Sequence, residues 1–325
     1  MAEFNFSELT PDLILDAIES TGIVVDSGLL ALNSYENRVY QFKDVENKRY
    51  VVKFYRPERW SDQQIQEEHD FTLELLAHEV SIAAPIALQE KTLHIWQQYR
   101  FTVFPSVGGR QFEVDNLEQL EWMGRFIGRI HAVAASKPFV FRPSIEPLAY
   151  LDQPLSQLSE SRIVPAQLHD AFFTILKQVI EATKSRLFNV DNIRLHGDCH
   201  PGNILWRDGP TFVDMDDCRS GPAIQDLWMM LSGDRANQLL QLDVLLEAYE
   251  EFCEFDPQQL KLIEPLRAMR LVHYMAWLDK RWSDPAFPAA FPWFGEAKYW
   301  EQQILSLKEQ LSQLNEAPLS LTPGY

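Results

Sequence analysis

The first hundred residues place their apolar positions in one short helical pattern and several strand patterns. Residues 11–21 begin with a proline and carry apolar side chains at helical spacing, which predicts a short helix. The runs NRVYQFK and KRYVVKFYR, separated by the polar stretch DVEN, predict a β-hairpin. A helix is predicted from 61 to 78, and two further strands lie within KTLHIWQQYRFTVFPSVGG. The front of the chain is therefore predicted to be rich in β-structure.

From residue 117 onward the apolar positions recur mostly at helical spacing. LEQLEWMGRFIGRIHAVAA carries Leu120, Met123 and Ile127 on one face of a predicted helix. A polar, proline-containing stretch at 136–166 is predicted to run over the surface, and TFVDMDD at 211–217 is predicted to be a strand. The other helices are predicted at 167–187, 223–232, 236–254, 257–282 and 296–314.

A β-rich front joined to a helical back is typical of an α+β, two-lobed enzyme. Pro105 and the Gly108-Gly109 pair mark a boundary between the two patterns. We therefore predict a small antiparallel β-rich N-lobe over 1–105 and a larger, mostly helical C-lobe over 106–325. A chain of 325 residues is long enough for two such units.

Charge and apolar content narrow the class of partner. Asp and Glu number 47 against 29 Lys and Arg, and the net charge of −18 disfavours nucleic acid and anionic membranes as partners. The first residues contain no basic segment followed by an apolar one, and no run of about 18 apolar residues occurs. The three cysteines are widely spaced, which favours a reducing compartment. We expect a monomeric, cytoplasmic protein.

The most unusual stretch is LHGDCHPGNILW, residues 195–206. A structural zinc site would need a second cluster of ligands, and this stretch contains a single Cys. A two-metal phosphoesterase would need several further Asp and His loops. Cys199 could act as a nucleophile beside His200, but adjacent side chains on an extended segment point apart. The residues therefore give little support to a zinc site, a two-metal phosphoesterase or a cysteine nucleophile.

His196-Gly-Asp198, followed by Asn203 five residues after the Asp, has the spacing of a kinase catalytic loop. In kinases the Asp accepts the proton of the substrate hydroxyl, the Asn binds Mg²⁺, and a separate Asp bridges metal and phosphates. Here that second Asp is Asp214, in the apolar run FVDMD. We predict catalytic roles for Asp198 and Asp214 and Mg²⁺ binding by Asn203 and Asp214. The alternative is a turn cap and a structural amide, which are individually common.

A kinase also needs a lysine on a strand of the N-lobe, held by an acidic residue of the following helix, to contact the nucleotide phosphates. Lys53 lies within the second strand of the hairpin. In the next helix Glu68 shares the apolar stripe of Ile65 and Phe71, whereas Glu67 lies at its edge. We predict that Lys53 and Glu68 bind ATP. The alternative is that these are solvated surface charges.

The blocks RLHGDCHPGNILW and TFVDMDDCRSGPAIQDLW resemble the signature of the phosphotransferases with a protein-kinase-like fold, which include aminoglycoside and choline kinases. Within that family, LNSYENRVYQF and IEPLRAMRLVHYMAWL are most similar to its bacterial serine/threonine protein kinases. The resemblance covers nearly the whole chain and implies a two-lobed kinase fold. It places Ser34 of NSYEN in the ATP site, where a plain hairpin turn is the alternative. It also implies that Asp226 supports the catalytic loop.

We therefore expect an enzyme, an ATP- and Mg²⁺-dependent phosphotransferase. The resemblance implies Ser or Thr of a protein as acceptor and a role in a stress response. A small-molecule kinase is the first alternative, because Asp216, Asp217, Glu264 and Asp279 could attract a cationic hydroxyl compound. The second alternative is a non-catalytic, ATP-binding scaffold.

Overall fold

The computed structural model describes residues 6–321 of the chain, which form an α+β fold with two hydrophobic clusters. The smaller cluster lies in the β-rich front and the larger one in the helical back. Within residues 6–321 no helix is both long and apolar enough to cross a membrane. Residues 1–5 of the predicted non-secretory start lie outside the described part of the chain.

An antiparallel five-stranded sheet forms the front, in the order β1-β2-β3-β5-β4. Its strands are Leu30–Ala31 (β1), Arg38–Lys43 (β2), Arg49–Phe54 (β3), His94–Trp96 (β4) and Tyr99–Pro105 (β5). The predicted hairpin is β2 and β3, and Lys53 lies opposite Val39 on one side and Thr102 on the other. Alternate residues such as Val52 and Phe54 enter the smaller cluster, which leaves Lys53 on the opposite face.

Two helices accompany this sheet. Helix α1, Pro11–Glu19, begins at the cap Thr10 and buries Ile14, Ala17 and Ile18 in the smaller cluster. Helix α2, Asp62–Ala77, begins with a reciprocal capping box between Ser61 and Gln64. These local signals explain why both helices lie where the sequence predicted them.

The back of the molecule consists of eight α-helices within the described residues. They are Leu117–Ala134 (α3), Gln153–Glu160 (α4), His169–Lys184 (α5), Ile224–Trp228 (α6), Arg235–Tyr249 (α7), Ile263–Arg281 (α8), Ala286–Ala290 (α9) and Ala297–Asn315 (α10). The predicted helix at 257–282 begins with a 3-10 helix, Pro257–Leu262, before α8.

Five short strands line the edge of the helical part that faces the sheet. They are Arg110–Gln111 (β6), Ile193–Leu195 (β7), Ile204–Trp206 (β8), Pro210–Phe212 (β9) and Arg219–Gly221 (β10). They form the sheets β6-β8-β9 and β7-β10. The strand predicted at 211–217 is thus too long. It ends at Phe212, because Asp214 adopts the left-handed conformation and residues 215–217 form a 3-10 turn.

The expectation that 136–166 runs over the surface is also wrong in part. A π-helical turn, Leu148–Asp152, leads into α4, and Leu151 and Leu158 are completely buried. The sequence did not predict α4, because this helix is short, few of its apolar residues repeat at helical spacing, and Pro154 lies in its first turn. Its burial depends on packing against α8, a partner more than a hundred residues later in the chain.

Glycines allow α3 and α7 to approach closely. A Cβ atom on Gly124 would lie 2.3 Å from the carbonyl oxygen of Leu245 and 2.8 Å from Cβ of Ala248. Both contacts are shorter than atoms tolerate, and one of them involves the backbone of α7. The α3–α7 crossing therefore requires glycine at this position.

We expect Gly124→Ala to lower the free energy of unfolding by about 2 kcal/mol, because overpacking exceeds the gain in helix propensity. Denaturant unfolding of both proteins measures this difference. Gly28→Ala is the matched control, since a Cβ there would meet no atom within 4 Å. Equal stability of Gly124→Ala and the parent would contradict the proposed close packing.

Candidate active site

A cavity of about 700 Å³ lies between the five-stranded sheet and the helical part. Its lining includes apolar residues of the front, such as Val39, Val51 and Phe104, and polar residues of the back. All six predicted site residues line it: Ser34, Lys53, Glu68, Asp198, Asn203 and Asp214. They come from five separate segments of the chain, so the fold brings together what the sequence presents apart.

Lys53 on β3 is almost completely buried, and its ammonium group contacts two carboxylates. Its Nζ lies 3.1 Å from Oδ1 of Asp214 and 3.0 Å from Oδ1 of Asp216. Burial alone would lower the pKa of Lys53, but Asp216 and Asp214 outweigh it and raise this pKa well above its usual value. Lys53 is therefore a fixed positive charge at the bottom of the cavity.

Glu68 points inward, as the helical stripe predicted, but it does not contact Lys53 directly. Among the described carboxylates, Asp214 and Asp216 take the positions within 4.0 Å of Nζ that were expected for Glu68. The Oε2 atom of Glu68 lies 3.8 Å from Nη1 of Arg142. Burial raises the pKa of the Glu68 carboxyl to about 7, against the opposing charge of Lys53.

Asp226 supports the loop that carries Asp198. Its carboxylate accepts hydrogen bonds from the main-chain N–H groups of His196 at 2.7 Å and Gly197 at 2.9 Å. Gly197 has a φ of 83°, and a Cβ there would lie 2.3 Å from the carbonyl oxygen of Asp217. The loop therefore depends on a buried acceptor and on a glycine.

The Asp198 carboxylate faces the cavity and already has two basic neighbours. Arg270 Nη1 donates a hydrogen bond to its Oδ1, and His200 Nε2 lies 3.4 Å from its Oδ2. Burial opposes ionisation of Asp198, but His200 and Arg270 hold its pKa well below the usual range. The side-chain amide of Asn203 donates to the main-chain oxygen of Asp198 at 3.0 Å. Asp198 is therefore ionised and firmly positioned.

Asp214 is presented by an unusual backbone conformation. It has a φ of 59°, and its side chain is 57% exposed in the cavity. The preceding carbonyl, of Val213, accepts a hydrogen bond from His196 Nε2 at 2.9 Å, and the amide of Val213 donates to the carbonyl of Asn203 at 3.0 Å. These contacts connect the segments of Asp198, Asn203 and Asp214.

Asp216 and Asp217 follow in the 3-10 turn, and they are not a solvated acidic turn. Asp216 is 3% exposed and accepts hydrogen bonds from Asn37 at 3.2 Å and Arg59 at 2.5 Å. Asp217 pairs with Arg59 at 2.8 Å and with Arg219 at 2.5 Å. Burial would raise the pKa of Asp216, but Lys53 and Arg59 lower it to about 2.

The turn at residues 33–37 is fastened to the helical part. Glu36 accepts hydrogen bonds from Trp277 Nε1 at 2.7 Å and from Arg281 Nη2 at 2.7 Å, both on α8. Within the turn, Ser34 Oγ donates to the carbonyl of Asn37 at 3.3 Å. The turn that carries Ser34 is therefore held over the cavity from the opposite side of the cleft.

Magnesium prefers oxygen ligands and is commonly held by one or two carboxylates together with substrate phosphates and water. Asp214 offers exposed carboxylate oxygens. The side-chain NH₂ group of Asn203 donates to the main-chain oxygen of Asp198, which leaves the Oδ1 atom of Asn203 as the possible metal ligand. Within residues 6–321 no three His, Cys, Asp or Glu side chains cluster as a metal cage. The donors present fit a cation that shares its shell with phosphate.

No role was predicted from the sequence for several residues of the cavity. Arg270 contacts Asp198, Arg59 contacts Asp216, and Glu36 fastens the turn that carries Ser34 to α8. Arg270 is 72 residues from Asp198 and lies in an ordinary amphipathic helix. The spacing of a motif could not identify these contacts, because they form only in the folded chain.

Comparisons with known proteins identify the family of the chain. The model of a family described as the phosphotransferase enzyme family matches residues 29–263. The "Serine/threonine protein kinase RdoA" of Salmonella typhimurium is 54% identical over 326 residues, which covers 99% of this chain and 98% of the relative. "Stress response kinase A" of Escherichia coli strain K12 is 54% identical over 325 residues, with the same shares covered.

Solved structures share the fold at lower identity. The microcompartment-associated aminopropanol kinase aligns with a TM-score of 0.70 and 17% identity over 93% of this chain and 98% of that one. Amicoumacin kinase hAmiN, solved with AMP-PNP, Ca²⁺ and Ami, aligns with a TM-score of 0.68 and 19% identity over 90% and 93% of the two chains. These likenesses concern the fold alone.

The buried Glu68 predicts a measurable pH dependence. Its pKa is raised from 4.5 to about 7 in the folded protein, so the folded state retains a proton that the unfolded state loses. The stability that this proton contributes is fully present below about pH 4.5 and is lost as the pH rises through about 7. We expect the parent to lose about 2 kcal/mol relative to Glu68→Gln between about pH 5 and about pH 8.

Urea unfolding at several pH values measures this difference. Glu301→Gln, on an exposed position of α10, controls for the loss of one carboxylate. Parallel stability curves for the parent and Glu68→Gln would contradict the assignment of the shift to Glu68.

Proposed function

Because the chain belongs to the phosphotransferase enzyme family, we propose that it is an ATP- and Mg²⁺-dependent serine/threonine protein kinase that acts in a stress response. The family membership supplies the reaction class. The finer assignment to protein acceptors is supported by two relatives at 54% identity that are named serine/threonine protein kinase and stress response kinase.

One observation carries the proposal. An ionised Asp198, an exposed Asp214 and a buried Lys53 line the same cavity, and Asn203 lies in the segment that connects the first two. Kinase chemistry needs these four groups together: a base for the hydroxyl, oxygen ligands for the metal and a cation for the phosphates. We propose each role from the position of the residue in the cavity.

The front half of the cavity suits a nucleotide. Val39, Val51 and Phe104 provide an apolar surface for an adenine ring, and the turn with Ser34 lies above it. We propose that Lys53 contacts the phosphates and that Asp214 and Asn203 bind Mg²⁺. The bound ion would neutralise charge on the transferred phosphoryl group. Asp214 and Asp216 hold the Lys53 ammonium in place.

We propose that Asp198 orients the acceptor hydroxyl and takes its proton. As the oxygen of the hydroxyl forms its bond to the γ-phosphorus, the bond from that phosphorus to ADP breaks, and the hydroxyl proton moves to Asp198. The low pKa of Asp198 keeps it ionised before the reaction, so it accepts the proton late. Asp226 acts indirectly, by positioning the loop.

A small-molecule kinase is the alternative, because aminopropanol and amicoumacin kinases share the fold. The acidic residues that the sequence offered for a cationic acceptor only partly support it. Asp216 and Asp217 line the cavity but are paired with arginines. Glu264 instead pairs with Arg267, and Asp279 accepts hydrogen bonds from Gln157 and Ser161.

The first test is transfer from γ-labelled ATP with Mg²⁺ to a generic protein acceptor and, separately, to a panel of small hydroxyl compounds. We expect label on protein Ser or Thr and a loss of about a thousandfold in kcat for Asp198→Ala, with ATP binding retained. Label confined to a small molecule would favour the alternative. Tight ATP binding without transfer would favour a non-catalytic scaffold.

Asp214→Asn tests the metal assignment. Asparagine tolerates the left-handed backbone at this position, so the exchange removes mainly a negative charge. We expect the Mg²⁺ concentration at half-maximal rate to rise at least about tenfold, since a carboxylate ligand becomes a neutral amide. Asp208→Asn is the matched control, because Asp208 is exposed, has a φ of 56° and lies outside the cavity. An unchanged Mg²⁺ dependence in Asp214→Asn would refute its role as a ligand.

A further inference from the structure

Arg270 differs from the other arginines of the cavity. Arg59 and Arg219 are 13% and 10% exposed, and each binds the carboxylate of Asp217 together with a further partner. Arg270 is 43% exposed, and within the described residues its one hydrogen bond runs from Nη1 to Asp198. Since a guanidinium has five N–H groups, most of the donor capacity of Arg270 remains available to a ligand.

Arg270 also lies where two cavities meet. Together with His200, it lines both the main cavity and a second one of about 390 Å³. The second cavity includes Trp228, Met229 and Arg267 in its wall. A ligand in the second cavity would therefore reach the immediate surroundings of Asp198.

The second cavity is lined by two arginines and by no described carboxylate. Arg267 and Arg270, three residues apart on α8, line it, and its described wall contains no Asp or Glu. Arg267 is fixed by an ion pair to Glu264 at 3.0 Å and by stacking over Trp228 at 5.4 Å. Glu264 and Asp198 each pair with one of these arginines, and the guanidinium N–H groups that remain favour a ligand with acceptor oxygens, such as a carboxylate.

We propose that the second cavity and Arg270 bind an acidic residue that flanks the acceptor Ser or Thr of a protein substrate. The inference rests on the proposed kinase function and names the class of its substrate. A carboxylate is the geometric partner of a guanidinium, because its two oxygens accept parallel N–H bonds. The apolar wall formed by Trp228 and Met229 would contact the rest of the substrate segment.

This binding mode also explains the contact between Arg270 and Asp198. Arg270 occupies Oδ1 of Asp198, one of the two oxygens that could accept the acceptor hydroxyl. An acidic substrate residue that binds the other N–H groups would draw the guanidinium away from Asp198 and so free that oxygen. Acidic substrates would then be favoured twice, through binding and through access to Asp198.

The test compares peptides that share one acceptor Ser and differ at a flanking position, occupied by Glu, Gln or Lys. We expect kcat/KM of the parent to favour the Glu peptide over the Gln peptide at least about tenfold. In Arg270→Gln this ratio should approach one, and in Arg270→Glu the Lys peptide should become the better substrate. The readout is a ratio, so a general change of activity cancels.

Arg125→Gln is the matched control, since Arg125 is a partly exposed, ion-paired arginine on α3 that lines neither cavity. Its Glu-to-Gln peptide ratio should equal that of the parent. An unchanged ratio in Arg270→Gln, or no preference in the parent, would overturn the acidic subsite.

Binding of the same peptides with Ala in place of the acceptor Ser separates the subsite from the kinase assignment. Fluorescence anisotropy that shows Arg270-dependent binding of the Glu peptide, without transfer to any Ser peptide, supports the subsite and refutes the proposed function. Absence of that binding overturns the subsite even if transfer occurs. Displacement by inorganic phosphate at concentrations similar to those of the peptide would overturn the peptide as occupant and indicate a small anion.

Discussion

The site depends on the burial of one carboxylate, Asp216, at the meeting place of the β-rich and helical parts. An isolated carboxylate is costly to bury, and removing one partner of such a group costs several kcal/mol. Here the compensating cations, Lys53 and Arg59, come from the front of the chain, whereas Asp216 comes from the back. The charge balance of the buried loop is complete only when both parts are together. The same ion pairs hold the Lys53 ammonium beside Asp214.

Helix α2 couples to this loop through two adjacent glutamates with different partners. Glu67 accepts hydrogen bonds from three consecutive main-chain N–H groups, at residues 140–142. Arg142, which ends that segment, donates to the carbonyl oxygens of Asp216 and Cys218 and approaches Glu68. The position of α2 is therefore linked to the backbone that presents Asp214 and Asp216.

Charge is distributed unevenly between the surface and the cavity. The chain as a whole is strongly acidic. The arginines around Asp198 and Asp217 nevertheless place positive charge inside the cavity. Two of the acidic residues in the cavity, Asp216 and Asp217, are neutralised by Arg59 and Arg219, which come from separate segments of the chain. Arg270 likewise pairs with Asp198 in the wall of the cavity. The acidic composition of the chain therefore does not reveal the arginines that line the cavity.

The sequence by itself determined the features that depend on residues close together in the chain. Helical and alternating periodicity located the hairpin, α2, α3 and α10, and the spacing of Asp198, Asn203 and Asp214 identified the catalytic segment as a hypothesis. Tertiary structure decided which side chains contact one another. It placed Asp216 rather than Glu68 on Lys53, ended β9 before Asp214, buried α4 and brought Arg270 to Asp198. These outcomes depend on contacts between distant segments, where packing and charge compensation outweigh local propensity.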